Sequence, residues 1–143
     1  MVYRHFTVSV TIGSDTRYLS FLRDLVKSSA RLVGRKAFPR ALERPLSLAL
    51  IEAVNNAIFH AHHGRRSEPI QVMMKIRPKW VAVEVEDSGR GLSRKKLKGR
   101  APHELETHGR GLFLIRQLVD SVQSRRRENR HVLKMMCWKK THV

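Results

Sequence analysis

The chain opens on an alternating run. Between Tyr3 and Ile12, Tyr3, His5, Thr7 and Ser9 take turns with Arg4, Phe6, Val8, Val10 and Ile12, the two-residue period of a strand with one face on a core. Gly13 and Ser14 break the period. Asp15 or Ser14 can cap a helix that runs to about Val33, with Leu19, Leu22, Leu25, Val26, Ser29 and Leu32 as its apolar stripe and Gly34 as its stop. Pro39 and Pro45 bracket a short connection, and Pro45 suits the first turn of a second helix. That helix holds ALIEAVNNAIFHAH, Ala49 to His62, and closes at Gly64 after His63.

Two strand-like runs follow, Ile70 to Ile76 and Trp80 to Glu86, joined by Arg77, Pro78 and Lys79 as a hairpin turn. Val81, Val83 and Val85 alternate with Ala82, Glu84 and Glu86, which predicts one buried face. From Ser93 to His108 the chain is basic, contains Gly and Pro, and keeps no period, so it reads as a mobile loop. A third helix starts at about Gly111 with Leu112, Ile115 and Val119 on one face. Strands near Val122 to Arg127 and His131 to Trp138 then flank a turn at Glu128 to Arg130. No repeat and no linker divides residues 1–143, which read as one domain of a size that supports its own core.

Within the second helix, Glu52, Asn56 and His60 are spaced i, i+4, i+8 and drift by only about 80°, forming one polar stripe among Leu50, Val54, Ala57, Ile58 and Ala61. Periodicity alone makes these solvent-facing residues of an amphipathic helix. Asn55 lies at the neighbouring angle and reads as structural.

Charge widens the picture without deciding it. Lys and Arg number 29 against 12 Asp and Glu, for a net charge of +17. Such a balance favours acidic proteins, nucleotides or polyanions. The basic runs RKKLKGR (Arg94 to Arg100) and RRRENR (Arg125 to Arg130) are not interleaved with aromatic residues, so a nucleic-acid partner is not expected. One cysteine, Cys137, excludes an internal disulfide and suits a reducing compartment. No run approaches a membrane span, and a cytoplasmic protein without membrane contact is expected. His60, His62 and His63 lack neighbouring cysteine or carboxylate ligands in sequence and do not read as a zinc set.

Three motifs in fixed order change the meaning of the polar stripe. They are the helix with Glu52 and Asn56, then Asp87-x-Gly89-x-Gly91 at a strand end, then Gly109-x-Gly111-Leu112-x-Leu114 at a helix start. Each is common alone. Together, from about Leu46 to Val119, they closely resemble the GHKL (histidine kinase-like) ATPase domains. The Glu-x-x-x-Asn form of the first motif and the short length are most similar to the bacterial anti-sigma factor serine/threonine kinase branch.

The resemblance implies an α/β (α+β) two-layer sandwich of the Bergerat type: a mixed, mostly antiparallel sheet of about five strands with about three helices on one face. It implies ATP and Mg²⁺ as cofactors, with Asn56 as the metal ligand and Glu52 as the catalytic base. Asp87 becomes the adenine-reading carboxylate. Gly89, Gly91, Gly109, Arg110, Gly111 and Leu112 complete the nucleotide contacts, and residues 92–108 become a nucleotide lid carrying Arg94, Lys95, Lys96, Lys98 and Arg100. The chemistry is compatible: an amide oxygen is a hard neutral ligand, a helix N-terminus receives phosphate, and a carboxylate removes a hydroxyl proton. No Walker-type lysine motif is present. The branch implies a sigma factor or similar regulatory protein as target, an antagonist protein as substrate, and a possible homodimer. This chain departs from the branch at Thr107, where an arginine that contacts the terminal phosphate is frequent. A nucleotide-gated binding module without phosphotransfer is therefore the alternative.

Overall fold

Among the described residues, each alternating run becomes a strand of one sheet. The computed structural model describes residues 5–63, 65–89 and 110–140. Strand β1, Phe6–Gly13, pairs antiparallel with β2, Pro69–Ile76, in a register from Phe6 opposite Ile76 to Gly13 opposite Pro69. Strand β3, Trp80–Asp87, returns along β2. Strands β4, Ser121–Arg127, and β5, Arg130–Trp138, form the last hairpin, and β5 also pairs with β3. The sheet order is β1-β2-β3-β5-β4. Every pairing among the described strands of the expected mixed, mostly antiparallel sheet is antiparallel.

Helices α1, Leu19–Val33, α2, Arg40–Asn56, and α3, Arg110–Leu118, supply the second layer. Leu22, Val26, Leu46, Leu50 and Ile115 share one core with Ile70, Val72, Met74, Val81, Val83, Val85 and Met135 from the inner sheet face. Each fully buried side chain of this size contributes roughly 1.5–3 kcal/mol. The winding decides where the ends lie. Among the described residues, α1 and α2 lie between β1 and β2, and α3 lies between β3 and β4. The C-terminal ends of β1, α2 and β3 and the N-terminus of α3 therefore gather at one end of the sandwich.

Asp15 is the helix-starting cap, accepting the Arg17 backbone N–H at 2.9 Å and opening a short 3-10 turn, Thr16–Tyr18, ahead of α1. Gly34 stops α1 with φ +86°, a conformation that suits a residue without a side chain. The predicted stripe needs one correction: Leu32 is 64% exposed, while Ala30 and Val33 are buried. Stepping from Leu22 and Val26 at the helical period reaches Ser29, Ala30 and Val33, and Leu32 falls outside that arc.

Helix α2 also starts earlier than predicted. Pro39 is its N-cap and Pro45 lies inside it. The Leu42 N–H reaches the Pro39 carbonyl at 3.0 Å, so the favourable formers of RALER nucleate the first turn and carry the helix past Pro45. Gly64, the expected stop, lies outside the described residues.

Strand β3 is buried on both faces, where alternation predicted one. Ala82 and Glu84 are enclosed along with the valines. As the central strand it has neighbours on each side, and Lys75 Nζ and Arg125 Nη2 approach the Glu84 carboxylate at 2.7 and 3.3 Å across the outer face. A buried carboxylate with two cations has its charge compensated, which alternation in one strand cannot reveal. The final turn is tighter than predicted, since β5 begins at Arg130 and Glu128 takes φ +58°.

Candidate functional site

Glu52 and Asn56 lie one turn apart near the end of α2, both half-buried. Gly111, in the first turn of α3, faces them. A Cβ placed on Gly111 would stand 3.0 Å from Glu52 Oε2, 3.1 Å from Asn56 Oδ1 and 3.3 Å from Asn56 Nδ2. Glycine brings the α3 backbone this near without displacing the acid or the amide, whereas a side chain there would push both aside by a few tenths of an ångström. The first and third motifs, 59 residues apart between Glu52 and Gly111, therefore form one cluster. The first N–H groups of a helix lack intrahelical acceptors, so the start of α3 favours an anionic neighbour. Arg110 begins that helix, and Leu112 points inward and is buried.

Asp87 ends β3 and is buried. Its Oδ1 accepts the Gly89 N–H at 2.8 Å, closing a tight turn, and its Oδ2 lies 3.8 Å from Nδ1 of His131, its cross-strand partner. His131 Nε2 contacts Ser124 Oγ at 2.5 Å. Gly89 is the second close approach: a Cβ there would stand 2.7 Å from Ala61 Cβ and 2.9 Å from Asp87 Oδ1. The turn after β3 is thus pressed against the chain that continues α2.

That continuation is not α-helical. Residues Ala57–Ala61 form a π turn, and the His62 N–H bonds the Ala57 carbonyl at 2.9 Å. The predicted polar stripe stops there. His60 is exposed, while His62 is fully enclosed. His62 Nδ1 meets Ser14 Oγ at 2.5 Å, and Nε2 accepts the Ser88 backbone N–H at 3.0 Å. Burial, the largest influence, holds its pKa below the ordinary histidine value, opposed by the nearby Asp87 and Glu68 carboxylates.

Sequence reasoning missed Ser14, His62, Ser88 and His131 as neighbours of the Asp87 turn. A three-histidine cluster drew notice to His62, but its burial depends on an inserted residue in a helical turn that no periodicity signals. Gly91, Gly109, Thr107 and the lid, residues 92–108, lie outside the described residues. Of the predicted site, the structure brings together Glu52, Asn56 and Gly111 at one place and Asp87 and Gly89 at another, linked by the π turn.

The described residues form a five-stranded antiparallel sheet under three helices, with an acid and an amide meeting the first turn of a helix at one end, as histidine kinase-like domains do. The family model for the histidine kinase-like ATPase domain matches residues 14–137, and the chain belongs to that family. Among curated relatives it is similar to the serine-protein kinase RsbW of Listeria innocua, 27% identical over 131 residues, covering 86% of this chain and 82% of the relative. It is likewise similar to that of Oceanobacillus iheyensis, 29% identical over 124 residues, covering 81% and 77%.

Solved structures agree on the fold. The RsbU and RsbW domains of a Mycobacterium tuberculosis protein align with TM-score 0.60 at 13% identity, over 92% of this chain and 32% of that one. A blue-light activated histidine kinase from Erythrobacter litoralis aligns with TM-score 0.51 at 21% identity, over 85% and 40%. The chain thus spans about a third of the first of these longer proteins. No helix among the described residues is long and apolar enough to cross a membrane.

Proposed function

We propose that this chain binds ATP with Mg²⁺ and is a serine/threonine protein kinase of the anti-sigma kind, phosphorylating a small antagonist protein and sequestering a sigma factor or similar target. The observation that carries this reading is the approach of Gly111 to Glu52 and Asn56, which sets the acid and amide beside the first turn of a helix at a residue that carries no side chain. The relatives' name, serine-protein kinase RsbW, supports the kinase part of this reading.

The residues fit the group. Asn56 Oδ1 is a neutral hard donor suited to Mg²⁺ alongside phosphate and water oxygens. The bound metal would neutralise phosphate charge during transfer. The N-terminal turn of α3, from Arg110 through Gly111, receives phosphate on N–H groups that have no acceptor within the helix, with Gly109 preceding it in sequence. Glu52 takes the proton of the acceptor hydroxyl as that oxygen bonds the γ-phosphorus and the bond to the ADP oxygen breaks. Asp87 accepts a hydrogen bond from the adenine amine, which guanine lacks at that position. Gly89 and Gly91 let the backbone pass the base, and Leu112 anchors the phosphate-binding helix in the interior.

Thr107 favours a second reading, a nucleotide-gated module that binds its partner without transfer. The two separate in an assay with ATP, Mg²⁺ and the antagonist protein encoded nearest this chain. A kinase transfers phosphate to a serine or threonine of that protein, and Glu52→Gln lowers the rate about 100-fold or more. Binding of ATP with no transfer to any tested antagonist would support the module.

A further inference from the structure

His62 has no face in water, yet both ring nitrogens are hydrogen-bonded and the direction of each proton is determined. Ser88 N–H donates to Nε2 at 3.0 Å, so Nε2 offers a lone pair. In the neutral ring the proton therefore sits on Nδ1, which faces Ser14 Oγ at 2.5 Å. Nδ1–H donates to that oxygen, and the Ser14 hydroxyl donates in turn to the Glu68 carbonyl at 2.7 Å. One chain of hydrogen bonds thus runs from the end of β1, through the imidazole, to the backbone between Asp87 and Gly89.

The π turn places the ring. An uninterrupted α-helix would bond the residue-62 N–H to residue 58, but here it reaches back to Ala57. The extra residue in the turn leaves Ala61 against Gly89 and His62 beneath Ser88, so the helix bearing Asn56 and the turn bearing Asp87 are locked together through these two residues.

The geometry points to His62 as a positioning residue for base recognition: it fixes the Ser88 amide so that Asp87, with Oδ1 held by the Gly89 N–H, presents its carboxylate to the base in one orientation. This inference rests on the ATP-binding reading of the site. It has a pH consequence. A proton added at Nε2 would face the Ser88 N–H, donor against donor, and release the turn. Asp87 on β3 and Glu68 before β2 favour the charged ring, whereas Arg65, Arg130 on β5 and above all burial oppose it. The ring is neutral near pH 7, and the turn loosens as the medium becomes acidic.

The test uses the full chain in two arms, ATP affinity from pH 5 to 8 and hydrogen exchange at the Ser88 amide, for wild type, His62→Gln and His62→Leu. The Gln amide oxygen takes the place of Nε2 and does not titrate. Wild-type affinity falls about tenfold between pH 7.5 and 5, the equivalent of one lost hydrogen bond. His62→Gln stays within about threefold of wild type at pH 7.5 and loses the pH dependence, and His62→Leu is weaker by about tenfold throughout with faster exchange at Ser88. His131 also faces Asp87 and remains in both variants, so a pH profile unchanged by His62→Gln overturns the proposal. Equal affinity and equal Ser88 protection in His62→Leu also overturn it. Should His62→Leu not fold, the His62→Gln profile decides. If wild type binds no ATP, the ATP reading fails, and the exchange arm alone decides whether His62 holds the turn.

Discussion

Gly111 and Asn56 are so close that a methyl group on the glycine would stand 3.1 Å from the amide oxygen and 3.0 Å from the Glu52 carboxylate. Gly111→Ala should therefore separate stability from binding. Alanine is favoured over glycine in a helix by about 1 kcal/mol, so thermal stability should stay within a few degrees of wild type. The displaced amide and carboxylate should weaken ATP binding at least about tenfold, an effect of 1–2 kcal/mol expected when a packed site is overfilled. Calorimetric titration of both proteins measures the two effects.

Glu52 and Asn56 carry different tasks in this account. Glu52→Gln keeps the shape and removes the proposed base, so turnover should drop about 100-fold or more with ATP affinity nearly unchanged. Asn56→Ala removes the proposed metal donor, so the Mg²⁺-dependent part of the affinity should disappear. Comparing titrations with and without a chelator checks the second outcome.

The fold's dependence on its core gives a control. Leu50 is 1% exposed in the middle of α2, two residues before Glu52. Leu50→Ala should cost about 2–5 kcal/mol in chemical denaturation, from lost transfer energy and the cavity left behind.

Acid should destabilise the protein through His62. Its folded pKa lies below the ordinary value of 6.5, so the unfolded chain takes up the proton first as pH falls. Stability is then fully present above about pH 6.5 and declines as pH falls through the lower folded value. Denaturation midpoints at pH 7.5 and 5.5 should differ in that direction, and the difference should shrink in His62→Gln.

Cys137 should be inert in the native state. It is buried in β5, and burial pushes its thiol up to about 11, leaving almost no thiolate at neutral pH. A thiol-reactive dye should label it only after denaturant is added; rapid labelling of the folded chain would show that β5 is misplaced.

Much of the architecture was legible because it rests on local rules. The β2–β3 hairpin follows from two alternating runs around Arg77, Pro78 and Lys79, and the face of α3 from Leu112, Ile115 and Val119, all buried as expected. Pro45 misled because a proline at a helix start and a proline tolerated in a second turn look alike in sequence. Glu84 misled because the burial of its outward face depends on Lys75 and Arg125, supplied by neighbouring strands. For the site, spacing exposed the Glu52–Asn56 pair, but its contact with Gly111 is tertiary. His62 was unreadable for a different reason: the π turn shifts the helical phase after Asn56, and only three-dimensional packing shows which histidine turns inward.

The central claim, that these clusters form an adenine-nucleotide site, is tested most directly by titrating the full chain with ATP and with GTP in the presence of Mg²⁺. The account predicts saturable single-site binding of ATP, at least tenfold weaker binding of GTP because Asp87 meets a carbonyl instead of an amine, and loss of that preference in Asp87→Asn. No measurable ATP binding, or equal affinity for both nucleotides, would contradict it.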